Sequence, residues 1–254
     1  MSNPRKRAAE AAPDVQHDRK KKKKKSKSKA RQDDEAIDLD LGVNTLFTRM
    51  DNQLLADYLA QKLTRFGGDL SSVEISDLTL SAGSIRDTAT EWRRDRTLAN
   101  LPAFLENFSG GREKLTEIPE DEGSPHTLIV TSAGLRAADI CRTVREGKLA
   151  SKGNPPAKLF AKHIKIEEQV TFLRTRKTGI GVGTPARLIE LMEIRDLKLH
   201  NLQRVVVDAS HVDKKKRGIM DMKDTLMPLA RFLTRPEFRE RYGDEEKPLA
   251  LLFY

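Results

Sequence analysis

Two short stretches carry residue types that could do chemistry. The apolar run Val205-Val206-Val207 ends in Asp208 and is followed by Ala209, Ser210 and His211. A buried strand that ends in a carboxylate delivers that group to the edge of a sheet, where it can hold a metal ion or manage a proton. The second stretch, Thr184-Pro185-Ala186-Arg187, follows Gly179-Ile180-Gly181-Val182-Gly183. Thr184 offers a capping oxygen, and Pro185 has the preset backbone angle of a first helical position. The backbone N–H groups of Ala186 and Arg187 stay unpaired, so the helix start suits a phosphate, to which Arg187 could add a charge-assisted contact. A plain helix cap with a solvated Arg187 is the competing reading.

Other constellations are incomplete. Ser210 and His211 are adjacent, so their side chains diverge, and no acid that would orient the histidine is identifiable. The glycines at 179, 181 and 183 lack the spacing of a dinucleotide loop and lie within a strand, which favours close backbone packing. No GxxxxGK[ST] phosphate loop occurs in the 254 residues. The five histidines have no metal-ligand spacing. A single cysteine, Cys141, rules out an internal disulfide and a Cys-based zinc site, leaving a buried thiol in a helix.

These groups need elements to position them. Apolar residues at three- and four-residue steps from Phe47 to Phe66 predict one helix capped by Asn44 and stopped by Gly67-Gly68. Residues 73–80 read as a short strand or extended lead, and residues 98–108 as a helix ended by Gly110-Gly111. From residue 127 strands alternate with helices: strands at 127–131, 163–166, 179–183, 204–208 and 249–253, helices at 135–146, 167–174, 185–194 and 222–234. Continuously apolar strands separated by helices predict an α/β fold with a parallel sheet covered on both faces. Ligands on such sheets lie beyond the carboxyl ends of the strands, here Thr131-Ser132, Gly183-Thr184 and Asp208.

Charge is segregated. The chain carries a formal +9, of which roughly +7 precedes Ala36. Lys20, Lys21, Lys22, Lys23, Lys24 and Lys25 form the densest block, and the first 36 residues, poor in large apolar side chains, read as a disordered basic arm. A polyanion is the expected partner, nucleic acid before membrane, because no amphipathic face accompanies the lysines. A solubilising tail or nuclear import signal is the competing reading. Lys214, Lys215, Lys216 and Arg217 make a second basic cluster beside Asp208, with a solvated loop as its equal competitor. No apolar run is long enough to span a membrane and no signal-peptide pattern begins the sequence, so a soluble intracellular chain is expected.

Taken together, VGTPARLIELM (residues 182–192) resembles the hydrophobic-Gly-Thr-Pro-Gly-Arg-Leu motif of DEAD-box RNA helicases, with Ala186 in place of a glycine. LIVTSAGLRAADICRTVR (residues 128–145) resembles the preceding family motif, with Ser132-Ala133-Gly134 where Pro-Thr-Arg is usual. The resemblance implies that Ser132, Gly134, Thr184 and Arg187 face an RNA backbone. By position the phosphate loop falls at TEWRRDRT (residues 90–97), where Thr90 and Asp95 stand in glycine positions and Arg96 replaces lysine; Ala209 replaces the glutamate that polarises water. With VEISDLTLSAGSIRDTATEWRRDRTLANLPAFLEN (residues 73–107), these motifs resemble the Cms family of degenerate DEAD-box-like proteins of small-subunit pre-ribosomes.

That resemblance implies one degenerate RecA-like helicase lobe at residues 111–254, a helical extension at 37–110 that packs on it, and the arm at 1–36. The sequence ends at LALLFY, near where a helicase places its Ser-Ala-Thr motif, which implies that the second lobe is absent. It further implies a nucleolar, non-catalytic scaffold without cofactor, metal or small-molecule substrate, whose partners are pre-ribosomal RNA and small-subunit assembly factors. A residual ATPase using Arg96, Thr97 and Asp208, and a purely protein-binding adaptor contacting its partner through helix 44–66, are the alternatives.

Overall fold

A parallel sheet organises the chain. The computed structural model describes residues 36–254, so all of the basic arm except Ala36 lies outside the described residues. The sheet strands are β3 (Thr127–Val130), β4 (Ala157–Leu159), β5 (Ile180–Gly183), β6 (Arg204–Val207) and β7 (Ala250–Phe253), in the spatial order β4-β5-β3-β6-β7. All four pairings are parallel. A small antiparallel pair, β1 (Ile37–Asp38) with β2 (Val43–Asn44), precedes them.

Alternate residues of each strand face opposite helical layers. Leu128, Val130, Val205, Val207, Leu251 and Phe253 belong to one core. It is closed by α1 (Asn52–Phe66), α6 (Ile166–Thr175), α7 (Pro185–Glu193), α8 (Lys223–Leu233) and α9 (Pro236–Arg239). Ile129, Val182, Val206 and Leu252 face the other core, with α3 (Leu101–Ser109), α4 (Arg112–Thr116) and α5 (Gly134–Glu146). Trp92 packs edge-on against Phe104 there, and Cys141 is fully buried, which pushes its thiol up to about 12. The short helix α2 (Ser72–Asp77) follows α1.

Three local expectations are corrected. The single helix after Asn44 is two elements. Asn44 caps a 3-10 turn at Thr45–Thr48, and the Asp51 carboxylate accepts the Leu54 amide at 2.8 Å to start α1 afresh. Residues 73–80 hold no strand, because Ser71 and Glu74 form a reciprocal capping box that opens α2. The strand expected at 163–166 lies earlier, at β4, while His163 adopts a positive φ of 59° in the turn before α6. The buried residues Leu55, Ala56, Leu59 and Leu63 put the inner face of α1 on its own core.

The glycines of β5 are required by contact. A Cβ on Gly183 would stand 2.4 Å from the Leu159 carbonyl oxygen and 2.8 Å from Leu188 Cδ2. One on Gly181 would meet side-chain carbons, the nearest being Leu128 Cδ2 at 2.8 Å and Leu159 Cδ1 at 3.0 Å. Gly183→Ala is therefore expected to cost about 2–3 kcal/mol and Gly181→Ala roughly 1 kcal/mol, since backbone yields less readily than a leucine rotamer. Denaturant unfolding of both variants measures the order; equal losses would contradict it.

Candidate functional site at the carboxyl rim

The register brings the strand ends level. Leu159 pairs with Gly183, Gly183 with Val130, Val130 with Val207, and Val207 with Phe253. The next residues, Phe160, Thr184, Thr131, Asp208 and Tyr254, therefore share one rim. β3 lies at its centre, with β4 and β5 to one side and β6 and β7 to the other, the topological position where α/β sheets bind ligands.

Asp208 lies at that centre with its side chain 2% exposed, and its carboxylate is fully engaged. Arg136, from the first turn of α5, donates Nε to Oδ2 at 2.9 Å and Nη2 to Oδ1 at 3.0 Å. The Thr131 hydroxyl donates to Oδ2 at 2.7 Å. Burial alone would push the Asp208 carboxyl up, but the Arg136 guanidinium outweighs it, with help from His211 and Thr131, and holds the carboxyl below its ordinary value. Burial likewise opposes the charge on Arg136, and Asp208 reverses that effect. The pair is a fork-to-fork ion pair in a protein interior, the arrangement that compensates two buried charges.

The following residues are absorbed into the fold. The amides of Ala209 and Ser210 both donate to the Tyr254 carbonyl at 2.7 Å. Asn44 N–H donates to the Ser210 carbonyl at 2.7 Å, and Val43 bridges His211, so the β2 segment runs along this loop. Ser210 is buried, and its Oγ has no hydrogen-bond partner. Burial lowers the His211 imidazole despite the opposing charge of Asp208. Ser210 and His211 thus form no nucleophile–base pair.

The predicted contact residues are dispersed in their roles. Thr184 stands before α7 with Pro185 in its first turn, but its side chain makes no capping hydrogen bond, which corrects the expectation of a capping oxygen. Arg187 is turned into the protein: Nη1 donates to Gln169 Oε1 at 2.7 Å, and Nε lies 2.8 Å from Glu190 Oε2. It is not solvated, because Gln169 of α6 and Glu190 hold it. Ser132 is half-buried, and Gly134 opens α5, where a Cβ would strike Lys162 Cβ at 2.8 Å. Lys214, Lys215, Lys216 and Arg217 are exposed; Arg217 is paired with Asp213 at 2.7 Å. Lys20 to Lys25 lie outside the described residues. Sequence reasoning missed Arg136, although an arginine two residues into the helix that follows a strand adjacent to the acid's strand is a readable signal.

A family profile described as "CMS1: U3-containing 90S pre-ribosomal complex subunit" matches residues 1–254. The chain belongs to the CMS1 family. Protein CMS1 of Chaetomium thermophilum is 58% identical over 241 residues, covering 94% of this chain and 95% of that one. Protein cms1 of Schizosaccharomyces pombe is 28% identical over 200 residues, 79% of this chain and 69% of that one. Among solved structures, a DEAD box protein from Methanococcus jannaschii shares 19% identity with a TM-score of 0.37; the match covers 63% of this chain and 37% of that structure. The CMS1 description places the chain in ribosome biogenesis, among the subunits of the 90S pre-ribosomal complex.

In this CMS1-family chain the rim does not fit a magnesium–nucleotide pair. Both Asp208 oxygens are spent on Arg136 and Thr131, so a cation would have to displace a guanidinium that already neutralises them. Arg96, expected from the sequence to stand in place of a phosphate-loop lysine, is 1% exposed; it donates to the Phe253 carbonyl at 2.6 Å and to Thr88 Oγ1 at 3.0 Å. Burial lowers its pKa to about 10. Among the described residues no group of His, Cys, Asp and Glu could hold a metal ion, and no helix is long and apolar enough to cross a membrane.

Arg136→Ala is expected to cost about 3–5 kcal/mol, because it strands Asp208 as a buried, unpaired charge. Arg136→Met combined with Asp208→Asn should recover most of that loss, and a double-mutant cycle by denaturant unfolding measures the difference. Since the Asp208 carboxyl is held below 3.8, its contribution is present at neutral pH and is lost only as pH falls through that lowered value.

Proposed function

We propose that this chain is a non-catalytic scaffold of the small-subunit pre-ribosome in the nucleolus, holding pre-ribosomal RNA and neighbouring assembly factors. The observation that carries the reading is the Arg136–Asp208 pair, with both carboxylate oxygens bound at 2.9 and 3.0 Å. A helicase or ATPase needs such a carboxylate for magnesium, and a glutamate beside it; here a guanidinium holds the first and Ala209 stands in the second place.

The RNA-facing part of the reading rests on the same rim. α5 and α7 both start there without a side-chain cap, so their first-turn N–H groups are directed out of the carboxyl ends of β3 and β5 and suit phosphate oxygens. Exposed Lys214 and Lys215 follow the end of β6. The arm at residues 1–36 adds charge that would act over several phosphates.

The full chain is expected to bind single-stranded RNA with steep salt dependence. Deleting residues 1–36 should flatten the slope of log K against log salt by several units, and Lys214→Ala/Lys215→Ala by roughly one to two. ATP turnover should stay at background with and without RNA. Turnover abolished by Asp208→Ala would replace the scaffold with an ATPase. RNA affinity at low salt unchanged by both alterations would leave a protein-binding adaptor.

A further inference from the structure

The opposite rim, at the amino ends of the strands, holds a cavity of about 730 Å³, a size ordinary for small-ligand pockets. Five lysines and arginines line it, Arg86, Lys114, Arg204, Arg241 and Lys247, against one carboxylate, Glu246. Asp244 lies nearby, with its carboxylate accepting the Glu246 and Lys247 amides. One of the lining charges is answered at once, because Arg86 pairs with Glu91, and the His200 Nε2 lies 2.7 Å from Asp121 Oδ2. Arg241 spends its guanidinium on the backbone carbonyls of Lys247, Leu199 and Leu202.

Arg204 is different. It is 5% exposed, and its guanidinium meets only neutral groups: Thr127 Oγ1 at 2.9 Å, His126 Nδ1 at 3.4 Å and Gln203 Oε1 at 2.8 Å. Burial pushes the Arg204 guanidinium down to about 10 with no acidic neighbour opposing the shift, and burial and Arg204 together push His126 down to about 4. A buried guanidinium without a counter-charge is costly, and the fold retains it at the floor of a cavity. Lys114 and Lys247 are exposed and have no ion pair among the described residues.

Part of the remaining wall is apolar. Ile85, Phe108, Leu249 and Leu251 line it, and the Arg86 guanidinium stands 5.0 Å from the centre of the Phe108 ring. A phosphate brings several acceptor oxygens and more than one charge to a group of separated cations, and the apolar wall suits the sugar or base beside it. We infer that this amino-rim cavity is a second binding site, for the phosphate of a nucleotide unit, with Arg204 as the deep anchor and Lys114 and Lys247 at its exposed edge. The same chemistry can be presented by single-stranded RNA or by a free phosphate compound.

The full chain is tested with two probes, inorganic pyrophosphate and a ten-nucleotide oligouridylate, each read as a rise in unfolding temperature over a concentration series. Lys114→Ala/Lys247→Ala changes exposed residues and leaves the cores intact; it is expected to weaken whichever probe binds by roughly tenfold or more. Lys214→Ala/Lys215→Ala, following the other ends of the strands, should leave the pyrophosphate response unchanged. Stabilisation that the Lys114/Lys247 variant weakens assigns the cavity to RNA when only oligouridylate gives it, to a free phosphate compound when only pyrophosphate does, and to the phosphate itself when both do. No stabilisation by either probe, as an acidic protein segment in the cavity would give, overturns the inference, as does a response equal in the parent and the Lys114/Lys247 variant.

Discussion

A carboxylate buried at the centre of a sheet rim must be neutralised, and the way Asp208 is neutralised governs the whole carboxyl end of this fold. The Val205–Val207 run of β6 is apolar on both faces, so it delivers Asp208 to a place that water hardly reaches. A metal ion could compensate it, but a metal is exchangeable and leaves the site open to ligands. Arg136 is built into α5 and makes the compensation permanent. Its reach depends on where α5 starts, which in turn depends on Gly134 passing close to Lys162 and Phe160. One ion pair therefore links the end of β6, the helix that follows β3 and the turn after β4.

The same rim is closed from two further directions. The Tyr254 carbonyl takes the amides of Ala209 and Ser210, and its hydroxyl donates to the Thr97 carbonyl at 2.5 Å. Arg96 and Thr88 both donate to the Phe253 carbonyl, so the segment ahead of α3 is fastened to the end of β7. A loop that wraps a nucleotide must leave its donors free until the ligand arrives. Here the Thr88 hydroxyl and the Arg96 Nη1 and Nη2 groups are bonded within the chain.

Much of the sheet was legible in the sequence because its signal is strong and local. Four of its five strands are uninterrupted runs between turn residues, and the helices after β3, β5 and β6 begin within two residues of their expected positions. β4 was misplaced because three residues with an exposed lysine in the middle do not read as a buried strand. The apolar stripe from Phe47 to Phe66 is continuous in pattern, so the fresh start at Asp51 was hidden by the period it preserves. The roles of the charged residues were less legible. Arg187 and Arg136 are both arginines in the first turn of a helix at the same rim, and nothing local distinguishes them. Which one meets Asp208 is decided by the register of β3 against β6 and by Gln169 lying within reach of Arg187, both of them long-range facts.

The two rims resolve buried charge in opposite ways. At the carboxyl rim Asp208 carries its counter-ion within the chain, so the site is complete and gains little from a small charged ligand. At the amino rim Arg204 is equally buried but has only a hydroxyl, an amide oxygen and a neutral imidazole, none of which cancels its charge. Taking a guanidinium out of water without a counter-ion costs several kcal/mol, on the order of what a buried ion must recover from its partners, so stability alone gives little reason for its presence. A charge of that kind is favourable only when something outside the chain completes it. The Asp208 rim therefore suits extended contact through backbone donors and exposed lysines, whereas the Arg204 cavity suits one anionic group bound at a point, and the fold separates the two by the length of its strands.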